Sequence, residues 1–395
     1  MASLCNWVGV FFRKILSLNS KRFRLGYFVI TCFLIYWTYS AIVSNQQVVS
    51  VWLNFIQTRK FDLLMASNRK IDRRTCCQSP DYSKDICGRS NCTSLCPSPR
   101  DLNQLKNDGP NAFFIETSGS GGLNIRQAFA VESLAFHNPN LTVNVLFMMD
   151  DGHQKQIKNK VLTETVEKLK SKYENIQFII VDLNEFMAGT SMEKWFHCTD
   201  WRTGPYHVSH LSDGLRFLTL HKYGGYYFDL DVIFVRPVTY YRNFITAASA
   251  TNFASGIIHA DYGHPITQLT VNDFPTNYKK NKWTHNGPDL VLRVMKIFCR
   301  EENFNKINYV SCRGFGVLPA STFSPIHWSN WQSFFNRRPA NETGVPSWIT
   351  NQIVGVHVWN KLSFNETAYK NSTQEYVRLV RDNCPIIYSI APETF

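Results

Sequence analysis

Between residues 111 and 183 two kinds of segment alternate, and that alternation limits the fold more than anything else in the chain. "NAFFIETS" (111–118) is an apolar run that ends in a polar, Gly-rich turn, "SGSGGLN". "IRQAFAVESLAFHN" (125–138) follows, with Ala128, Val131, Leu134 and Ala135 at helical spacing. "LTVNVLFMMD" (141–150) is a second apolar run, residues 154–172 read as a charged amphipathic helix, and "NIQFIIVDL" (175–183) is a third strand. This β-α-β-α-β order predicts an α/β fold with a mainly parallel sheet and helices on both faces. Ligands of such sheets bind beyond the carboxyl ends of the strands, where Glu116–Gly119 and Asp150–Asp151 fall.

"KYGGYYFDLDVIFVRPV" (222–238) places two carboxylates, Asp229 and Asp231, inside an aromatic and aliphatic run. Alternation predicts one strand with both acids on one face. Bare carboxylates there would repel, and one pKa would rise. A divalent cation removes that cost, because hard cations such as Mg²⁺ and Mn²⁺ take carboxylate and phosphate oxygens together. An isolated Asp-x-Asp is more often a solvated loop pair; the apolar setting is what favours metal here. The stretch before it, "HVSHLSDGLRFLTLHKYGG" (207–225), predicts a helix stopped by Gly224–Gly225. Asp213 and Arg216 share one of its faces, a spacing that also fits a surface ion pair worth about 0.3–0.5 kcal/mol. Helices are predicted at 264–271 and 287–300, and a late strand at "VGVHVWN" (354–360), with His357 and Trp359 on one face.

The chain has 395 residues, enough for one large domain with appendages, and is 44% hydrophobic, enough for a real core. Leu25–Val43 is uncharged over 19 residues, roughly 28 Å as a helix, about the thickness of a bilayer core. Arg13, Lys14, Lys21, Arg22 and Arg24 precede it, which orients the N-terminus to the cytoplasm. The segment is long for a cleaved signal peptide and no small-x-small site follows it. The expected organisation is a cytoplasmic tail (1–24), a transmembrane signal anchor (25–43), a stem (44–75), a cysteine-rich lead-in (76–110) and a lumenal domain (111–395). Five N-x-[ST] sequons, at Asn91, Asn140, Asn341, Asn365 and Asn371, all follow the anchor. So do nine cysteines, five of them at Cys76, Cys77, Cys87, Cys92 and Cys96. With no His in that cluster, disulfides are favoured over zinc. Nine is odd, so one thiol is free or pairs with another chain, which leaves an oligomer open. The net charge of +12 falls to +7 once the tail is set aside. No basic run is interleaved with aromatics beyond it, so no nucleic-acid partner is expected.

"SDGLRFLTLHKYGGYYFDLD" resembles the signature of retaining Asp-x-Asp glycosyltransferases: Ser-Asp-x-x-Arg, Gly-Gly-x-Tyr, then Asp-x-Asp. With "FFIETS", "RQAFAVESLAFHNP", "HNGPDLVLRV" and "VGVHVWNK", residues 112 to 361 are similar to the α-1,4-glycosyltransferase family. The resemblance implies a GT-A fold, a UDP-sugar donor and Mn²⁺. It casts Asp231 as the direct metal ligand and Asp229 as a ribose or sugar contact that also helps hold the metal. Asp213 and Arg216 would grip donor-sugar hydroxyls, and Phe114, Ile115, Glu116 and Thr117 would cradle uracil and ribose. His357 would reach the metal or diphosphate, with Asn360 as an alternative, although its spacing fits a core histidine equally well. Asn286 and Gly287 would shape the acceptor side, and a Gly-bearing turn in "NFASGIIHA" (252–260) would approach the donor; both also read as plain loop punctuation.

The implied reaction moves a galactose-type sugar, with retention, onto a terminal galactose or N-acetylhexosamine of a glycolipid or glycoprotein in the Golgi lumen, from a single-pass type II membrane protein. Front-face return is favoured over double displacement, for which Asp261 and Asp289 are the available carboxylates. Trp328, Trp331, Phe334 and Phe335 could stack on sugars, although core packing suits most of them better. Rival readings are transfer of N-acetylgalactosamine or N-acetylglucosamine, and a carbohydrate-binding protein on the same fold without catalysis.

Overall fold

The computed structural model describes residues 110–149, 160–249, 251–339, 346 and 348–395. The expected tail, anchor, stem, cysteine cluster, Asp150–Asp151 and the sequons at Asn91 and Asn341 lie outside them. No helix among the described residues is long and apolar enough to cross a membrane.

The first half follows the alternation. Strand β1 (Asn111–Glu116) leads to helix α1 (Ile125–His137), β2 (Thr142–Met149), α2 (Lys160–Lys172) and β3 (Ile176–Asp182). Asn124 starts α1 with a capping box, its side chain accepting from Gln127 N–H while Gln127 accepts from Asn124 N–H. Short helices α3 (Leu183–Met187) and α4 (Glu193–Cys198) precede the long α5 (His207–Tyr223). Gly224 and Gly225 end α5 at φ 66° and 92°, values that a side chain would resist. Then come β4 (Gly225–Phe228), β5 (Val232–Phe234), β6 (Phe244–Ala247), β7 (Phe253–Ala260), α6 (Pro265–Thr276) and α7 (Pro288–Cys299). Strands β8 (Gly316–Leu318) and β9 (Gly355–His357) and helices α8 (Asn360–Ser363), α9 (Glu375–Asn383) and α10 (Pro385–Ile390) complete the order.

The main sheet runs β3-β2-β1-β4-β7-β6-β8. Four of its six pairings are parallel; β7 runs antiparallel to both β4 and β6. From β1 the chain winds first toward β2 and β3, then returns to place β4 on the other side. The carboxyl ends of β1 and β4 therefore flank a topological switch point, where open α/β sheets leave a crevice. Alternate residues of β1 and β4 feed two cores. Ala112, Phe114, Tyr226 and Phe228 face α1 and the C-terminal helices, and Phe113, Ile115 and Tyr227 face α5, α6 and α7.

Three sequence expectations are corrected. The 222–238 run is not one strand: it breaks at Asp229–Asp231, where Val232 N–H donates to Asp229 O (3.2 Å) in a turn. β4 stays in the main sheet, whereas β5 pairs with β9 in a separate two-stranded sheet. "NFASGIIHA" is strand rather than turn, because β7 is continuous and buried throughout. The late strand stops at His357, and Trp359 turns back at φ 55°.

The cysteines resolve partly. Cys299 and Cys312 form a disulfide, and Cys198 is disulfide-bonded as well. Cys384 is a free thiol, fully buried, with its S–H directed at Phe129 O. A thiol so enclosed cannot bridge to another chain, so it gives no support to a disulfide-linked oligomer.

Candidate active site

The β4–β5 turn delivers the acids to the carboxyl end of β4, at the switch point. Asp229 N–H still donates to Gly256 O (2.8 Å), extending the β4–β7 ladder by one residue, while Asp231 O accepts from Val358 N–H (3.0 Å) next to β9. The turn thus ties the main sheet to the small one, and the small one brings His357. One ligand atom each from Asp229, Asp231 and His357 lie within 4.8 Å of one another. The expected convergence of the two acids is present, produced by a turn rather than by strand alternation.

The three groups are held differently. Asp229 Oδ1 accepts from Tyr227 Oη–H (2.7 Å) and faces Arg216 Nη2 at 3.3 Å. Asp231 Oδ2 accepts from the backbone N–H of Asn360 (2.8 Å). Asp231 Oδ1 faces His357 Nε2 at 3.0 Å, yet the contact is not aligned as a hydrogen bond, and this buried oxygen accepts none. Burial works against ionising Asp231, but His357 and the Asn360 amide outweigh it and hold the carboxyl below its usual range. Burial likewise disfavours an imidazolium at His357, and the facing Asp231 overcomes it, raising His357 above its ordinary value.

A divalent cation fits this set. Two carboxylates and one imidazole suit Mn²⁺ or Mg²⁺. The buried Asp231 Oδ1 lacks a donor, and a ligating His357 would exchange its proton for the ion. Asn360, the alternative metal contact, contributes its backbone amide to Asp231 instead.

Behind the acids, α5 presents Asp213 and Arg216, each 6% exposed. Arg216 Nη2 lies 3.3 Å from Asp213 Oδ1, so the predicted pair forms, but as a buried bridge and not a surface ion pair. Arg216 also donates from Nη1 to Ser255 Oγ (3.1 Å), from Nη2 to Ser212 Oγ (3.1 Å) and from Nε to Ser212 O (3.3 Å). Its guanidinium lies over the Tyr227 ring at 4.8 Å. Burial opposes its charge, yet Asp229, then Tyr227 and Asp213, raise its pKa above the usual range. Arg216 is thus engaged with protein groups, and in this arrangement it aligns Asp213 with Asp229 rather than reaching for a sugar. Burial pushes the Asp213 carboxyl up to about 7, Arg216 pulling against the rise and Asp229 adding to it.

Other expected contacts sit elsewhere. Phe114 packs against Phe228 in one core and Ile115 in the other, so a nucleoside at this strand end would meet backbone rather than those side chains. Glu116 Oε1 accepts from Ser118 N–H (2.7 Å) and its buried Oε2 has no hydrogen-bond partner. Thr117 is half-buried just beyond β1. Asn286 is 1% exposed and both ends of its amide bind the Lys279 backbone (2.9 Å each), which closes a loop and leaves nothing for an acceptor. Gly287 instead adjoins the donor-side pair: a Cβ there would lie 2.5 Å from Asp213 Oδ1. Asp261 is bound by Arg242 and Asn243 beyond Ala260, which pairs with Gly225 at the opposite end of β4 from Asp229, so it is not a nucleophile for this site. Asp289 accepts from Thr284 Oγ1 (3.0 Å). Of the late aromatics, Phe334 is in the core and Trp328 is 51% exposed.

Ser212 and Tyr227 lie inside the quoted signature, and Ser255 and Gly256 inside the "NFASGIIHA" stretch expected to approach the donor, but none was singled out as a site residue; the backbone amide of Asn360 was missed.

Residues 125–251 match the glycosyltransferase sugar-binding region containing the DXD motif, and residues 259–391 match the alpha 1,4-glycosyltransferase conserved region. The chain is 30% identical over 276 residues to lactosylceramide 4-alpha-galactosyltransferase of Mus musculus, covering 70% of this chain and 74% of that one. The Homo sapiens protein of the same name is 29% identical over 275 residues, covering 70% and 75%. Alpha-1,4-N-acetylglucosaminyltransferase of Homo sapiens is 25% identical over 219 residues, covering 55% and 62%. With Asp229 and Asp231 inside the first matched region and His357 inside the second, the chain belongs to the alpha-1,4-glycosyltransferase family and is a hexosyltransferase.

Proposed function

We propose that the enzyme transfers galactose from UDP-galactose to a terminal galactose or N-acetylhexosamine of a glycolipid or glycoprotein, forming an α-1,4 linkage with retention. The observation that carries this reading is the convergence of Asp229, Asp231 and His357 at the switch point, with Arg216 bridging Asp229 to Asp213. The galactose assignment follows the relatives with the higher identity, which are named as galactosyltransferases. N-acetylglucosamine is the second donor to test, given the 25% identity to a transferase of that name.

Asp229, Asp231 and His357 would hold Mn²⁺, and neutralisation of the departing diphosphate is what such an ion supplies when bound. Asp213, held by Arg216, would accept from donor-sugar hydroxyls. In front-face return the bond from the anomeric carbon to the UDP oxygen breaks. The acceptor oxygen bonds to that carbon on the same face, and its proton passes to the leaving phosphate oxygen. The remote place of Asp261 and the engagement of Asp289 with Thr284 favour this route over a double displacement. A Golgi location, with the chain anchored by residues 25–43 and its catalytic part lumenal, agrees with exposed sequon asparagines at positions 140, 365 and 371.

The deciding experiment is a donor screen on the full-length protein with Mn²⁺, reading release of UDP and the linkage formed on lactosyl and N-acetylhexosaminyl acceptors. Turnover of UDP-galactose to an α-1,4 product supports the assignment. Selective turnover of UDP-N-acetylglucosamine replaces it with the second reading, and no turnover with any UDP-sugar overturns both.

A further inference from the structure

A histidine that ligates a metal usually donates its second ring nitrogen to a carboxylate, carbonyl or water, and that bond fixes the ring's orientation. His357 breaks this pattern. Nε2 faces Asp231, but Nδ1 is buried and makes no hydrogen bond. No protein group therefore holds the ring through Nδ1.

Trp359 is in contact with it. The indole and imidazole centroids are 4.1 Å apart at an interplanar angle of 31°. The indole is itself anchored, since Nε1–H donates to Ile326 O (2.9 Å). Its backbone is unusual: φ 55° and ψ 50°, a left-handed conformation that bulky residues rarely adopt and that costs on the order of 1 kcal/mol. That turn has two effects. It folds the indole back onto His357 instead of carrying it along β9. It also starts α8, so that the Asn360 N–H meets Asp231 Oδ2 at 2.8 Å.

We propose that Trp359 is a positioning residue of the metal site: its strained backbone and stacked indole replace the missing Nδ1 hydrogen bond and fix His357 toward Asp231. The inference rests on the metal assignment made above. Trp359 is not a catalytic residue, because its role is exerted through His357 and the Asn360 amide.

Two substitutions isolate the ring from the backbone. Glycine and asparagine both tolerate the left-handed conformation, so Trp359→Gly and Trp359→Asn keep the turn and remove the indole. Trp359→Phe keeps a stacking ring and loses only the Nε1 donor. The readout is Mn²⁺ binding to the full-length protein, titrated by electron paramagnetic resonance with and without UDP, beside the melting temperature of the metal-free protein. Loss of an outer contact of this kind weakens metal affinity about 10- to 100-fold. That loss is expected for Trp359→Gly and for Trp359→Asn, which serves if the glycine variant does not melt cooperatively. Trp359→Phe should stay within about threefold of wild type. The apparent KM for Mn²⁺ should rise in step with the dissociation constant, with kcat largely recovered at saturating Mn²⁺. His357→Ala and Asp231→Asn separate the two ways of failing. If both abolish Mn²⁺ binding while the glycine and asparagine variants titrate like wild type, the role assigned to Trp359 is wrong and the metal site stands. If neither changes the titration, the metal assignment itself is wrong. A lowered melting temperature with unchanged Mn²⁺ affinity would make Trp359 a packing residue only.

Discussion

Asp229 and Gly256 face each other across the β4–β7 pairing so closely that a Cβ at position 256 would lie 2.7 Å from Asp229 Cγ. The glycine is required by the neighbouring carboxylate rather than by a turn. Gly256→Ala should push Asp229 away from Tyr227 and Arg216. Misplacing a catalytic group by about 1 Å costs roughly 100-fold, so kcat/KM should fall by about that factor, while overpacking lowers stability by about 1–3 kcal/mol. Gly316→Ala, where an added Cβ would meet only ordinary contacts at 3.7 Å and beyond, is the control and should be nearly silent. Wild-type kinetics in Gly256→Ala would show that Asp229 need not hold this position.

Asp213 predicts an unusual pH dependence of stability. Its pKa is raised in the folded protein to about 7 from the ordinary 3.8, chiefly by burial. A raised folded value means that the stabilising contribution is complete below about pH 3.8 and is lost as pH rises through about 7. Asp213→Asn removes the titration. Without metal, the stability of wild type relative to the variant should decline between about pH 4 and pH 7 and level off above, by up to about 4 kcal/mol. Chemical denaturation of both proteins across that range measures it. A flat difference would mean that Asp213 ionises normally in its buried place. The same substitution should cost the enzyme most of its turnover, because it turns one of the two acceptor oxygens into an NH2 donor and removes the charge.

What the sequence revealed and concealed follows from how far each signal reaches. The strands and helices from 111 to 183 were legible because periodicity is local, and so was α5, with Asp213 and Arg216 one turn apart. The Asp-x-Asp turn was misread as strand because Leu230 alternates with the two aspartates between the buried, apolar Tyr227–Phe228 and Val232–Ile233, a period-two pattern that a half-buried turn and a strand share. Ser255 and Gly256 reach the site only because β7 reverses direction beside β4. Phe114 and Ile115 were assigned to the nucleotide through the family resemblance, whereas their alternation with Phe113 commits their side chains to the two cores. Asn286 looked like loop chemistry pointed at a ligand; its amide instead closes the Lys279–Asn286 loop, a bond that spacing alone does not reveal.

The Cys299–Cys312 bridge stabilises without touching catalysis. It closes a segment with a sequence separation of 13, at the end of α7 remote from Gly287. A loop of that length gives about 3 kcal/mol, so Cys299→Ser with Cys312→Ser should lower the melting temperature by roughly 5 °C for a domain of this size. The helix separates the bridge from Asp213 by about 18 Å along its axis, and kcat at 25 °C should stay within about twofold. Calorimetry and steady-state kinetics on one preparation check both. A large fall in kcat with an unchanged melting temperature would reverse the division of roles.

The lumenal assignment makes its own prediction through Asn140, Asn365 and Asn371, all exposed. At Asn371 the side chain uses only Oδ1, accepting from Tyr388 Oη–H (3.3 Å), so Nδ2 is left for a glycan. Made in a secretory pathway, the full-length protein should lose mass on treatment with an N-glycosidase. Asn140→Gln, Asn365→Gln and Asn371→Gln should each remove one mobility step before treatment, since each asparagine lies on the surface. Asn371→Gln should also cost a little stability, because Asn371 holds φ 65° and its N–H donates to Tyr388 Oη (3.0 Å). A protein whose mobility is unchanged by the enzyme and by all three substitutions would place this domain on the cytoplasmic side, and the anchor orientation read from Arg13 to Arg24 would then be reversed.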